Sequence, residues 1–221
     1  MSNKLLLESL AEFLGTFKLV FIGALAVAVT SIPDTNANVV IPALAHGLAV
    51  IGIIYVYGHI SGAHVNPAVT AGLVAAGKMS LNKALFYWAA QLIGGIVAAA
   101  ALVLILPDPG NYGQTKGILT DTNIGAAAIF EAILTFFLVS AVVQAAVYGR
   151  AGNLAALAIG FTLIAAILAG GIFTGASLNP ARTLGPALMA GDLGYVIPYF
   201  IGTIGGGVIA GALHSRVLAP E

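Results

Sequence analysis

Cysteine is absent from this chain, which excludes disulfides, thiolate metal sites and thiol catalysis. Charge is nearly absent too. Only 7% of the 221 residues are Asp, Glu, Lys or Arg, against about 25% in a soluble domain, and a solvated surface cannot be built from so few. Lys and Arg balance Asp and Glu at eight each, so no excess charge is available to hold a nucleic acid, and none is expected as a partner. What fills the chain instead is apolar: 60% hydrophobic residues, with a mean hydropathy of +1.04. The excess runs along the whole length, so a single signal peptide or anchor does not account for it. A Gly-rich secreted fibre would also be poor in charge, but long uncharged runs argue against it. The chain reads as an integral membrane protein in a lipid bilayer.

A spanning helix needs about 20 mostly apolar residues. Six stretches qualify, near Leu6–Val29, Val39–Ile60, Ala84–Leu106, Ile124–Val147, Leu154–Phe173 and Tyr195–Leu213. Turn-forming stretches separate them, such as S-I-P-D-T-N-A-N and Y-G-R-A-G-N, and Pro107 to Asn123 reads as the one sizeable loop. With the N-terminus inside, cytoplasmic segments carry Lys4, Lys78, Lys83, Arg150 and Arg216. The outer loops then carry Lys116 against Asp34, Asp108, Asp121 and Asp192. That bias predicts a multi-pass protein of the cell membrane with both termini cytoplasmic.

The chain also repeats itself. L-A-E-F-L-G-T-F-K-L-V-F matches I-F-E-A-I-L-T-F-F-L-V-S, aligning Glu12 with Glu131. Each unit then passes through a second span into an Asn-Pro-Ala (NPA) loop: G-H-I-S-G-A-H-V-N-P-A-V-T first, G-I-F-T-G-A-S-L-N-P-A-R-T second. Three spans per unit is an odd number, so the second unit enters the membrane from the opposite side. That is an inverted repeat, with the site expected at the midplane between halves.

Asn is a strong N-cap and Pro is favoured at the first helical position, so Asn66-Pro67-Ala68 and Asn179-Pro180-Ala181 each read as a helix start. About ten apolar residues follow each, enough for roughly 15 Å of helix, half of a ~30 Å hydrocarbon core. Two half-helices entering from opposite faces bring their N-termini together at the centre. The residues before each cap, Gly62, Ala63, His64 and Val65, then Gly175, Ala176, Ser177 and Leu178, become extended backbone at membrane depth. Such backbone is tolerated only where it is buried or lines water. The fold expected is all-α: six transmembrane helices plus two re-entrant half-helices. Residues 1–221 form one channel domain, with inverted repeats at approximately 5–106 and 122–217.

These two loops, with A-E-F-L-G-T-F, resemble the aquaporin (major intrinsic protein) family along essentially the whole chain. The resemblance implies a homotetramer with one pore per subunit, passing water and small neutral solutes while excluding protons and ions, with no cofactor or metal. It places Asn66 and Asn179 in the pore, each able to cap with its oxygen while its amide donates to a solute. It places Arg182 in an outer selectivity filter completed by His46, twenty positions before Asn66, and by Ile167 and Ala176. From there His46 is expected to offer a solute a donor. Apart from the resemblance, His46 reads equally as a buried histidine on a backbone carbonyl. The set resembles the plant vacuolar-membrane subfamily, some of whose members pass ammonia. Thr183 and Ala187 follow the water pattern, whereas Pro198 follows the glycerol group.

Glu12 and Glu131 sit inside spans, where a carboxylate is usually functional. Here they are expected to accept hydrogen bonds from the loop N–H groups, with a proton relay as the alternative. His64, just before the first cap, lines a vestibule or gates by pH; His59 and His214 read as interfacial. Lys18 lies about 240° around the helix from Glu12 and either snorkels or faces a neighbouring subunit. Besides the water channel, a glycerol-type facilitator, an inverted-repeat secondary transporter and a non-transporting scaffold remain open. The transporter lacks a coupling-ion site, and the scaffold leaves Arg182 without a purpose. No nucleophile–base pair or phosphate loop points to an enzyme.

Overall fold

The computed structural model describes residues 2–32, 38–106 and 109–220. Helices α1 (Asn3–Val29), α2 (Val40–Ser61), α3 (Pro67–Ala75) and α4 (Leu81–Ile105) build the first half. After a short α5 (Ile118–Thr122), α6 (Ile124–Ala141), α7 (Ala155–Thr174), α8 (Pro180–Ala190) and α9 (Val196–Arg216) build the second. All described regular structure is helical, and six helices are long and apolar enough to cross a membrane. The spans begin and end within a few residues of the hydropathic stretches.

Two departures are informative. The connector from Pro107 to Asn123 is not all loop: Gly117 and the Thr120 hydroxyl close a turn at 2.9 Å, and α5 follows. The end of the fourth span is wound as a π turn over Val142–Val147, with the Tyr148 N–H reaching back to the Val143 carbonyl at 2.9 Å. Such turns insert an extra residue into a helix and often mark functional positions. Asp34 and Asp108, counted above among the outer charges, lie outside the described residues.

Without water to drive helices together, association within a bilayer depends on close packing of small residues. Helix α1 packs on α2 and α4, α6 packs on α7 and α9, and α2 meets α7 across the halves. The half-helices fill the space between, α3 against α9 and α8 against α4. Gly95 and Gly207 make this possible. A Cβ on Gly95 would lie 2.5 Å from the Ala181 carbonyl oxygen, and one on Gly207 would strike the Ala68 carbonyl. Thus α4 and α9 each bear directly on the alanine of an Asn-Pro-Ala tripeptide, from opposite halves.

Candidate functional site

Each half-helix starts as its residues require. Asn66 and Asn179 stand in extended conformation, their Oδ1 atoms accepting from the N–H groups of Ala68 at 2.8 Å and Ala181 at 2.9 Å, with Pro in the first turn of each helix. Both amide nitrogens then cross to the opposite loop. Asn66 Nδ2 donates to the Leu178 carbonyl at 2.8 Å and Asn179 Nδ2 to the Val65 carbonyl at 2.9 Å. The two caps are therefore tied to each other's loops at the centre of the molecule.

The loops themselves are strained. Ala63, Val65, Ala176 and Leu178 all have positive φ, between 43° and 53°, a region that side chains with a Cβ rarely adopt. Such backbone persists only when surroundings over-determine it, and here two buried carboxylates do so. Glu12 accepts from the N–H groups of His64 at 2.9 Å and Val65 at 2.6 Å, and from the Ser61 hydroxyl at 2.7 Å. Glu131 accepts from the N–H groups of Ser177 at 2.9 Å and Leu178 at 2.8 Å, and from the Thr174 hydroxyl at 2.7 Å. Both carboxylates are fully buried.

Several members of this scaffold were not singled out in the sequence. Tyr87 donates to the Ser61 carbonyl and Tyr199 to the Thr174 carbonyl, both at 2.7 Å. Gln91 Nε2 bridges Glu12 at 2.8 Å and Thr70 at 3.0 Å. The signal for Ser61 and Thr174 was present, since both precede Gly-Ala in the aligned loops. Nothing in the sequence marked Gln91.

A cavity of about 500 Å³ runs along this centre. One mouth is lined by His59, Ala145, Val147 and Gly149, the middle by Val65, Asn66, Leu178 and Asn179, and the far end by His46 and Arg182. Gly62, Ala63, His64 and Ser177 also line it. Gly175, Ala176 and Ile167 do not. Ala176 and Ile167 are buried at 4% and 3% exposure, and Gly175 lies against the backbone of Thr115 and Lys116. Arg182 lines the far end of the cavity, and the Gly175 backbone is covered by the segment before α5.

Arg182 is 1% exposed, and its Nε donates to His46 Nε2 at 2.9 Å. Since guanidinium only donates, His46 Nε2 must accept, and its proton therefore sits on Nδ1, bonded to the Pro42 carbonyl at 2.7 Å. Both imidazole nitrogens are engaged. This corrects the expectation that His46 offers a donor to a solute: it orients Arg182 instead. The two terminal guanidinium nitrogens have no partner among the described residues, and Arg182 lines this end of the cavity.

Elsewhere, His64 is held by Thr70 at 3.1 Å and stacks edge-on against Tyr87. His214, read as interfacial, is 7% exposed and bonds to Gln144 in the π turn at 2.9 Å. Beside α5, Lys116 joins Asp192 at 2.8 Å and Asp121 at 3.0 Å. The hydrogen bonds to Asp192 and Asp121 hold the Lys116 ammonium above its usual range, and the bond from Lys116 holds the Asp192 carboxyl below the usual carboxylate range.

Comparison with known proteins agrees with this architecture. The family model described as "Major intrinsic protein" matches residues 1–214. Aquaporin TIP2-3 of Arabidopsis thaliana is 38% identical over 216 residues, covering 94% of this chain and 86% of that protein. Aquaporin TIP1-1 of Zea mays is 40% identical over 212 residues, covering 92% and 84%. Aquaporin Z of Rhodopseudomonas palustris is 36% identical over 225 residues, covering 96% and 93%. The crystal structure of the aquaglyceroporin from Plasmodium falciparum superposes with a TM-score of 0.86 at 26% identity, over 98% of each chain. With paired Asn-Pro-Ala half-helices meeting inside six spans and a family match over nearly its whole length, the chain belongs to the major intrinsic protein family of membrane channels.

Proposed function

We propose that this protein is a passive water channel that also passes ammonia, excludes protons and ions, and conducts glycerol slowly or not at all. The observation that carries the reading is the continuous cavity from the mouth at His59, past both cap asparagines, to Arg182. Each amide nitrogen carries two hydrogens. One is spent on the opposite loop, and the second is offered to a solute in the cavity that both residues line. The positive ends of α3 and α8 converge there, which disfavours a cation at the centre. Arg182, His46, Ile167 and Ala176 form the filter in this reading, Glu12 and Glu131 hold the loops, and the backbone from Gly62 to Val65 and Gly175 to Leu178 supplies the carbonyl path.

The same reading takes residues 1–221 as one channel domain, with inverted repeats at approximately 5–106 and 122–217. It assembles four copies, each with its own pore, in the cell membrane with both termini cytoplasmic. The relatives named as aquaporins support water as the solute. The glycerol-type alternative is separated from it by the same experiment. Purified protein in vesicles is shrunk osmotically by an impermeant solute, then by glycerol. Fast shrinkage in both, with slow reswelling in glycerol, fits the water channel. Reswelling as fast as the shrinkage assigns the glycerol type, and shrinkage no faster than in empty vesicles refutes the water channel.

A further inference from the structure

Lys18 is a charge near the middle of a span that the pore does not explain. It stands fifteen residues above Asn3 and eleven below Val29 on α1, about 22 Å and 16 Å from those ends. Neither membrane surface is within reach of a lysine side chain. The ammonium leans instead toward α2, 3.3 Å from where a Cβ on Gly52 would sit, and no described residue accepts a hydrogen bond from it. A half-buried ammonium at the middle of a span does not face hydrocarbon; it faces protein or water.

Its surroundings say which. Leu10, Leu14 and Lys18 form one stripe of α1 at helical spacing, with Leu10 49% and Leu14 39% exposed. The inverted repeat that aligns Glu12 with Glu131 aligns this stripe with Ile129, Ile133 and Phe137 on α6, which are 65%, 49% and 53% exposed. Where the first half presents an ammonium, the second presents an exposed phenyl ring. Helices α1 and α6 are not neighbours within the subunit, so the two stripes look out from different sides.

We infer that Lys18 packs its ammonium on the face of the partner's Phe137 in the assembled channel. The inference rests on the assembly reading given under Proposed function. In a closed ring, the left face of one copy meets the right face of the next. When each copy carries a twofold axis in the membrane plane pointing at the ring axis, that junction has a twofold of its own. A residue that lies near that axis then meets its own repeat mate across the junction. Lys18 and Phe137 are such repeat mates, on stripes that look out from different sides of the subunit. Each lies six residues beyond its loop-binding glutamate, and helical side chains lean back toward the helix N-terminus, here toward the midplane in both. A cation over an aromatic face, shielded from lipid, is a favourable contact.

The chain's lack of cysteine makes the test direct. Lys18→Cys and Phe137→Cys are introduced singly and together, with water permeability confirming that each variant is folded. The double variant in membranes, treated with a short bis-maleimide, is expected to give a ladder up to the full oligomer, and each single variant none. Subunit counting of the unmodified protein runs in parallel. A monomer in the bilayer refutes the assembly reading itself. An oligomer without a ladder, in which the Lys18→Cys thiol reacts with a lipid-soluble maleimide as fast as in dispersed subunits, overturns the contact and leaves the assembly standing. Should the double variant fail to fold, a photoreactive benzoylphenylalanine at position 137 replaces it. Adducts to the α1 segment around Lys18 support the contact, and adducts to lipid alone overturn it.

Discussion

Asn66 and Asn179 hold each other's loops: the amide of each donates to the carbonyl that precedes the other, at 2.8 and 2.9 Å across 112 and 114 residues of sequence. Each residue thus does three things at once. Its oxygen starts a half-helix and one amide hydrogen ties the halves together, and in the proposed channel the other is the one offered to a solute.

That relationship predicts an energetic cost beyond loss of a cap. Asn66→Ala or Asn179→Ala removes a cap worth about 1 kcal/mol and orphans a buried carbonyl, for a further ~1–3 kcal/mol. Each variant is expected to lose about 2–4 kcal/mol, measured as a fall in denaturant midpoint in detergent. An alanine variant as stable as the parent contradicts the tie.

Much of this was legible in the residues, and the limit is instructive. Spans follow from hydropathy because the bilayer imposes one length on all of them. Half-helices follow from Asn-Pro because capping is local. The cross-loop bonds were not legible, since they need the two inverted halves already placed against each other. Nor was the engagement of both nitrogens of His46, which depends on Arg182 approaching from 136 residues away. The left-handed backbone at Val65 also defies local preference, and Glu12 sustains it from another helix.

Water permeability is expected to resist mercurial block, because no thiolate exists to trap the metal. Osmotic shrinkage with and without mercuric chloride should coincide. Strong inhibition reversed by a reductant would count against it.

Arg182→Val is expected to keep the fold and weaken exclusion of cations. A unit charge at 4 Å opposes a second one by about 1–4 kcal/mol over the range from water to a protein surface. At a factor of ten per ~1.4 kcal/mol, cation and proton leak should rise about five-fold to a thousand-fold. Water flux should change far less. A proton leak at the parent level, read with an interior pH dye, removes Arg182 from the barrier.

The Lys116, Asp121 and Asp192 cluster sets a pH window. Asp192 has its pKa lowered by Lys116, so the stability it contributes is present above the usual carboxylate range and is lost as pH falls through its depressed value. Lys116 has its pKa raised by Asp192 and Asp121, so its contribution is present below the usual lysine range and is lost as pH rises through the elevated value. Around neutral pH the cluster is intact. Its members are 30–68% exposed, so the effect is screened, and Lys116→Met should cost less than about 1 kcal/mol. Thermal unfolding across pH checks it: the difference between parent and Lys116→Met should vanish in strong acid. A difference that persists there shows that the pairing is not its source.

The last prediction concerns what the filter selects. Both His46 nitrogens are engaged and the two terminal guanidinium nitrogens of Arg182 have no partner among the described residues, so in the proposed channel the side-chain donors for a solute at this end come from Arg182. In the proposed ring, Ile167 supplies an apolar wall and Ala176 is too small to narrow it. A solute passing there exchanges part of its hydration for one-sided bonding, and the cost grows with the number of hydrogen bonds it gives up. Ammonia gives up less than water does, so an apolar wall penalises it less. Ile167→His puts a donor and a ring edge on that wall, which should narrow the opening and restore the preference for water. The expected result is an ammonia-to-water ratio about tenfold lower, the effect of ~1.4 kcal/mol on a relative barrier, with much of the water flux retained. Interior alkalinisation under an inward ammonia gradient, measured on both proteins beside osmotic shrinkage, decides it. A parent protein that alkalinises vesicles no faster than bare lipid defeats the ammonia reading. An Ile167→His variant that matches the parent in both fluxes removes Ile167 from the filter.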